Sequence, residues 1–170
     1  MANQMLVRSA AGTADHDIIP DQEDPETLAV WTFRRWVLGV RHQAPEQWDT
    51  VWRGLRRRCG ERAAREASAA MAEMIEALRR TSRRTITHHQ PCCPCVGDDE
   101  ALLLVLLGAC QRNESALAWT AARTLSGTVD PRSLVLGAMR FADAFAERGL
   151  TLPPRDLPDG ATVPEGTMVH

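Results

Sequence analysis

The chain has no lysine and no tyrosine, and its twenty Lys-or-Arg positions are all arginine. Without lysine there is no Schiff-base chemistry and no phosphate-loop lysine. Without tyrosine there is no phenolic general acid. Also missing are a phosphate-cradling glycine loop, a Gly-x-Ser-x-Gly elbow, a His-Glu-x-x-His helix and a dinucleotide fingerprint. The sequence therefore leans away from an enzyme. A thiolate–imidazole pair drawn from His88 with Cys92 or Cys93 is the one nucleophilic arrangement its residues would allow.

Long apolar runs are equally scarce. "MANQMLVRSAAG" at the start has no export-signal core. "ALLLVLLGAC" (101–110) is about half of what a bilayer crossing needs. The expectation is a cytoplasmic protein with no membrane partner. Thiols stay reduced there, and five cysteines, an odd number, do not form an evident disulfide framework.

The remaining composition is that of an ordinary soluble domain, with 170 residues, 44% hydrophobic, 25% charged and a net charge of −2. A chain of this length can bury a real core. Charge is unevenly spread. Arg34 to Arg84 holds thirteen arginines against six acids, a local balance of +7 that leaves −9 elsewhere. That basic middle would suit an acidic protein partner, or the acidic ends of the same chain. Nucleic acid is a weaker match. The turn "GACQRNES" suggests a helix-turn-helix, but its second helix offers Arg123 as the only base and presents Glu114 to phosphates.

Helical periodicity dominates the chain, and no alternating strand pattern is evident. The sequence predicts an all-α, single-domain bundle of about six helices over 24–150. A flexible acidic leader (1–23) precedes it and a proline-rich flexible tail (151–170) follows. The first helix is marked by Asp24 as N-cap, Pro25 at the first position and Glu26 at the positive end. Leu28, Trp31, Arg35 and Leu38 form one stripe and Val30, Phe33 and Val37 another, so the helix should be widely buried. A second helix opens at Pro45 and turns Trp48, Trp52 and Leu55 inward. Gly60 interrupts it. A third carries Ala64, Ala67, Met71, Met74 and Leu78 on one face, a seam for a helical hairpin or a second copy. The fourth, "ALLLVLLGAC", is apolar all round and should be central. Asn113 would cap a fifth, and Asp130–Pro131 a sixth that ends at Gly149.

Chemistry is concentrated in "THHQPCCPCVGDDE" (87–100), a loop expected between the third and fourth helices. His88-x3-Cys92-x2-Cys95 supplies three metal ligands at short spacing, and Cys-x2-Cys can aim two thiolates at one zinc. His88, Cys92 and Cys95 are the primary candidates, with His89 and Cys93 as alternates. A fourth ligand could be His89, Cys93, Asp98 or Cys59. Cys110 lies about 18 Å along the next helix and could join only if the loop folds back. Zinc is the expected metal. An iron–sulfur cluster normally takes four cysteines where the loop has three, and the Cys93-Pro94 pair is a weak match to haem-responsive motifs. A thiol switch joining Cys92 to Cys95 is a further reading, as is a plain proline-braced bend with buried cysteines. The functional expectation is a small regulatory or adaptor protein with a metal or redox-responsive loop. The alternative is a metal-free helical interaction module or dimer, with an Arg-rich DNA-binding regulator behind it.

Overall fold

The computed structural model describes the backbone of residues 6–9 and all of residues 24–159. Strand β1 (Leu6–Ser9) is followed by helices α1 (Pro25–His42) and α2 (Pro45–Thr81) and strand β2 (Ile86–His88). Helices α3 (Asp98–Gln111), α4 (Ser115–Ser126) and α5 (Arg132–Ala146) complete the order. The all-α expectation holds, with five helices among the described residues rather than six. The two helices expected on either side of Gly60 run on as one, bent at that residue. Gly60 sits at φ 78°, ψ 171°, outside helical space but open to glycine, so the direction changes without a loop.

Two short strands were not expected. β1 and β2 pair in parallel, Leu6 opposite Ile86 and Ser9 opposite His88. Three or four residues are too few for alternation to stand out against helical neighbours. The rest of the expected leader lies outside the described residues.

Local chemistry explains the helix starts. Asp24 accepts hydrogen bonds from the Glu26 and Thr27 amides, as expected of an N-cap. Asn113 does not cap α4. It adopts φ 59°, a left-handed conformation asparagine tolerates, and Glu114 takes the cap position. At the next junction Asp130 accepts from the Arg132 amide, which opens α5.

α3 is the central helix. Leu102 through Leu107 are all buried, and α3 packs on α1, α4 and α5. α2 and α5 form the widest helix–helix contact. Ala64, Ala67, Ala70, Met71 and Met74 are fully buried there. Gly137 of α5 lets the backbones approach, since a Cβ on it would stand 2.8 Å from Met74 Cγ. The alanine seam is thus filled from within the chain, by α5. At the α1–α2 corner Trp36 and Trp48 meet at 5.4 Å between ring centroids.

The segment after α5 is extended, as its prolines imply, but its first part is docked rather than free. Leu150 and Leu152 are buried, the Leu152 amide donates to Gln111 Oε1, and Leu157 packs on the core. The packed domain therefore extends past residue 150. Residues 160–170 of the expected tail lie outside the described part.

Candidate metal and thiol site

The loop between α2 and α3 rests on two acids of the first turn of α3. Asp99 and Glu100 are fully buried and face away from solvent, toward the loop's backbone. Asp99 accepts from the Thr87 amide at 2.7 Å, from Thr87 Oγ1 at 2.9 Å and from Arg84 at 2.6 Å, which fixes β2. Glu100 accepts from the Gly97 amide at 2.9 Å and the His89 amide at 3.0 Å.

Against Glu100 lies Arg34 of α1, only 3% exposed. A guanidinium buried this deeply needs partners for its donors. Nε and Nη2 grip Glu100 through both carboxylate oxygens at 2.7 and 2.8 Å. Nη1 donates to the carbonyls of Gln90 and Cys93, and Nη2 to that of Cys95. One side chain therefore holds both walls of the cysteine turn. Burial alone would raise the Glu100 carboxyl. The hydrogen bonds from Arg34, Gly97 and His89 outweigh it and hold the pKa down to about 2.

Strand alternation separates the two histidines. Ile86 and His88 face the interior and Thr87 faces out, so His88 and His89 take different environments. His88 is 4% exposed, and its Nδ1 lies 2.8 Å from the His89 carbonyl. A carbonyl only accepts, so Nδ1 carries the hydrogen, and Nε2 is buried without a partner. Burial pushes this imidazole below its usual pKa. His89 is partly exposed and its Nδ1 meets Glu100 Oε2 at 3.1 Å. Donation to that carboxylate leaves the Nε2 lone pair free, the arrangement in which metal-ligating histidines are oriented by a carboxylate.

Of the five candidates, the fold brings three together. His89, Cys93 and Cys95 each offer a ligand atom, and these atoms lie within 4.8 Å of one another. They could hold a metal ion. His88 stays out because it points inward from β2. Cys92 stays out because it occupies the Pro91–Cys92 turn, closed by the Cys93 amide on the Gln90 carbonyl, and is exposed as a free thiol. Cys93 and Cys95 form a disulfide. The sulfur pair is thus Cys93–Cys95, with one residue between them, rather than Cys92–Cys95. A disulfide sulfur has no thiolate to give, so the disulfide and a metal held by the same residues exclude one another.

The other cysteines lie elsewhere. Cys59 is buried in α2 and donates to the Leu55 carbonyl, and burial raises its pKa. Cys110 lines a cavity of about 100 Å³ with Trp119, Val135 and Met139, and burial pushes its thiol up to about 11. Neither is in the ligand group, and each is a poor thiolate. In the basic middle, Arg79 pairs with Glu76 and Arg84 with Asp99.

Arg34 and Glu100 are the functional residues the sequence reading missed. A signal existed: an arginine in the middle of a helix apolar around most of its circumference must find buried acceptors for its donors, as the neighbouring Arg35 does at Gln47 Oε1. Among the described residues, no helix is long and apolar enough to cross a membrane. No protein-family model, curated protein or solved structure matches the chain.

Proposed function

We propose that this is a small regulatory or adaptor protein whose 86–97 loop is a thiol-based site with two exclusive states. In the reduced state His89, Cys93 and Cys95 hold one zinc ion. In the oxidised state the two thiols are joined and the metal is gone. The observation that carries this reading is the convergence of one imidazole and two sulfurs, with the imidazole oriented by a buried carboxylate that is itself gripped by Arg34.

The donor set suits zinc, which takes thiolate sulfur and imidazole nitrogen together and leaves a fourth position for water or a partner's side chain. An iron–sulfur cluster would need a fourth cysteine, and Cys59 and Cys110 stand in separate helices. Haem on Cys93 would compete with the neighbouring sulfur and imidazole. Arg34 gives the loop a fixed backbone in either state, so a change of ligation moves side chains while their carbonyls stay put.

The test is zinc stoichiometry on protein purified under reductant and then oxidised. About one zinc per chain is expected in the reduced form, and its release on oxidation. Replacing Cys93 and Cys95 together by serine abolishes binding, while Cys92→Ser and His88→Ala leave it. Metal that survives the Cys93/Cys95 double change overturns the reading.

A second reading rests on a separate observation. Leu136 and Met139 of α5 and Trp119 of α4 are large apolar side chains left exposed, as a surface for another protein would be. Leu136→Glu with Met139→Glu should then dissolve a complex or dimer seen by sedimentation. A wild-type chain that sediments as a monomer and recruits nothing removes this reading.

A further inference from the structure

The loop is not symmetric about its disulfide, and the asymmetry assigns roles to the two sulfurs. Cys95 is exposed, flanked by exposed Pro94 and Val96, whereas Cys93 is partly buried. Thiol–disulfide exchange requires a thiolate to approach one sulfur along the S–S axis and expel the other, so access decides which is attacked. We infer that Cys95 is the sulfur attacked by an external thiol reductant and that Cys93 is the leaving thiolate. This gives the loop a defined route from its disulfide to its dithiol form. It rests on the two-state reading above and supplies the regulation of that same site.

The chemistry balances with a thiol as the only co-reactant. A reductant thiolate bonds to Cys95 Sγ, the Cys93–Cys95 bond breaks, and its electron pair leaves on Cys93 Sγ, which takes up a proton. A second reductant thiolate then attacks the reductant's sulfur in the mixed disulfide. Cys95 leaves as thiolate and takes up a proton in turn, and the reductant departs as its own disulfide. Two electrons and two protons have moved to the protein. Arg34 keeps the Cys93 and Cys95 carbonyls in place during the exchange, so the leaving sulfur stays beside His89. Both sulfurs are then free in the neighbourhood where a zinc ion would be taken up.

Cys92 complicates any measurement, because a free thiol adjacent to the pair can attack the adduct and shuffle it. The experiment therefore uses the full chain carrying Cys92→Ser, a change at an exposed position that should not disturb folding. Oxidised protein is treated briefly with reduced glutathione, acid-quenched and alkylated, and the adduct is mapped by peptide mass spectrometry. Glutathione on Cys95 with alkylated Cys93 should exceed the reverse product by about tenfold. Equal amounts, an excess on Cys93, or a chain that forms no Cys93–Cys95 disulfide on oxidation would each overturn the assignment. Zinc uptake by the fully reduced chain, measured on the same preparation, separates the two claims. Zinc bound with unselective exchange removes the sulfur assignment alone. Selective exchange without zinc removes the metal half of the two-state reading alone.

Discussion

Two regions of this molecule solve the same problem, holding chain segments together, by opposite means. The α2–α5 seam is built from small and flexible apolar side chains with a glycine where the backbones approach, and its ion pairs, Arg140 with Glu66 and Glu73, lie at its half-exposed rim. The cysteine loop is tied from beneath by one arginine and one glutamate through charge-assisted hydrogen bonds. Burial without direction tolerates adjustment, because neighbours can shift into lost volume. A buried ion pair does not, because removing either partner leaves an uncompensated charge. The loop should therefore be both the more precise and the more brittle of the two.

The largest expected effect follows from that brittleness. Arg34→Met strands the Glu100 carboxylate and takes a donor from three loop carbonyls, a loss of about 3–5 kcal/mol in denaturant unfolding. It should also make the loop sulfurs more reactive toward a maleimide after reduction. Replacing the pair together, Arg34→Met with Glu100→Met, should restore part of the stability, because no buried charge is left, but not the ordered loop. If the double change is as unstable as the single one, the ion-pair account of this region is wrong.

Met74→Ala tests the seam. Its side chain is fully buried against α5, and truncation should cost roughly 3 kcal/mol, less wherever Gly137 and its neighbours close the gap. The contrast lies in what does not change: thiol reactivity and zinc uptake at the loop should stay as in the parent chain. A seam variant that loosens the loop would show that the two regions are one cooperative unit in the native state.

Acid sharpens the same comparison. Glu100 is held at about 2 against an ordinary value of 4.5. Its contribution is therefore complete above pH 4.5 and is lost as pH falls through about 2, because the unfolded state binds the proton first. By linkage this amounts to about 3 kcal/mol. Unfolding free energies between pH 2 and 5 should rise with pH in the parent and in Met74→Ala. The rise should flatten in the Arg34/Glu100 double variant. A parallel slope in all three would assign the acid sensitivity to other carboxylates.

The same division decided what could be read from sequence. Seam residues Ala64, Ala67, Met71 and Met74 recur with helical period, so their shared face was legible, as was the buried run of α3. What closed the seam was not: nothing local says that α5, about sixty residues later, fills it rather than a second copy. Gly60 was seen as an interruption, but a glycine can end a helix or bend one, and only the packing of both halves chose the bend. At the loop, residue types were legible and geometry was not. Which histidine turns outward depends on a three-residue strand whose pairing partner lies eighty residues upstream. Which cysteine turns outward depends on a turn braced at Pro91. Arg34 and Glu100 are 66 positions apart, and each has a plausible local role, one as part of a basic stretch and one as a helix-start acid.

The smallest effect concerns the docked end of the chain. Arg155 reaches Glu26 at the start of α1 and forms an ion pair through both carboxylate oxygens, yet Arg155 is more than a third exposed. Such a pair gains little over hydration and is weakened by salt, so Arg155→Ala should cost less than about 1 kcal/mol. The apolar anchors work differently. Leu152 is 1% exposed and lies where Gln111 and Arg112 bond its amide and carbonyl, so Leu152→Ala should cost about 2 kcal/mol or more. Hydrogen exchange at the Leu152 amide should be nearly unchanged by the arginine substitution and markedly faster in the leucine variant. If instead Arg155→Ala alone releases the segment, and added salt does the same to the parent chain, then charge rather than burial holds this end of the molecule. The docked segment would then belong with the loop in the comparison, not with the seam.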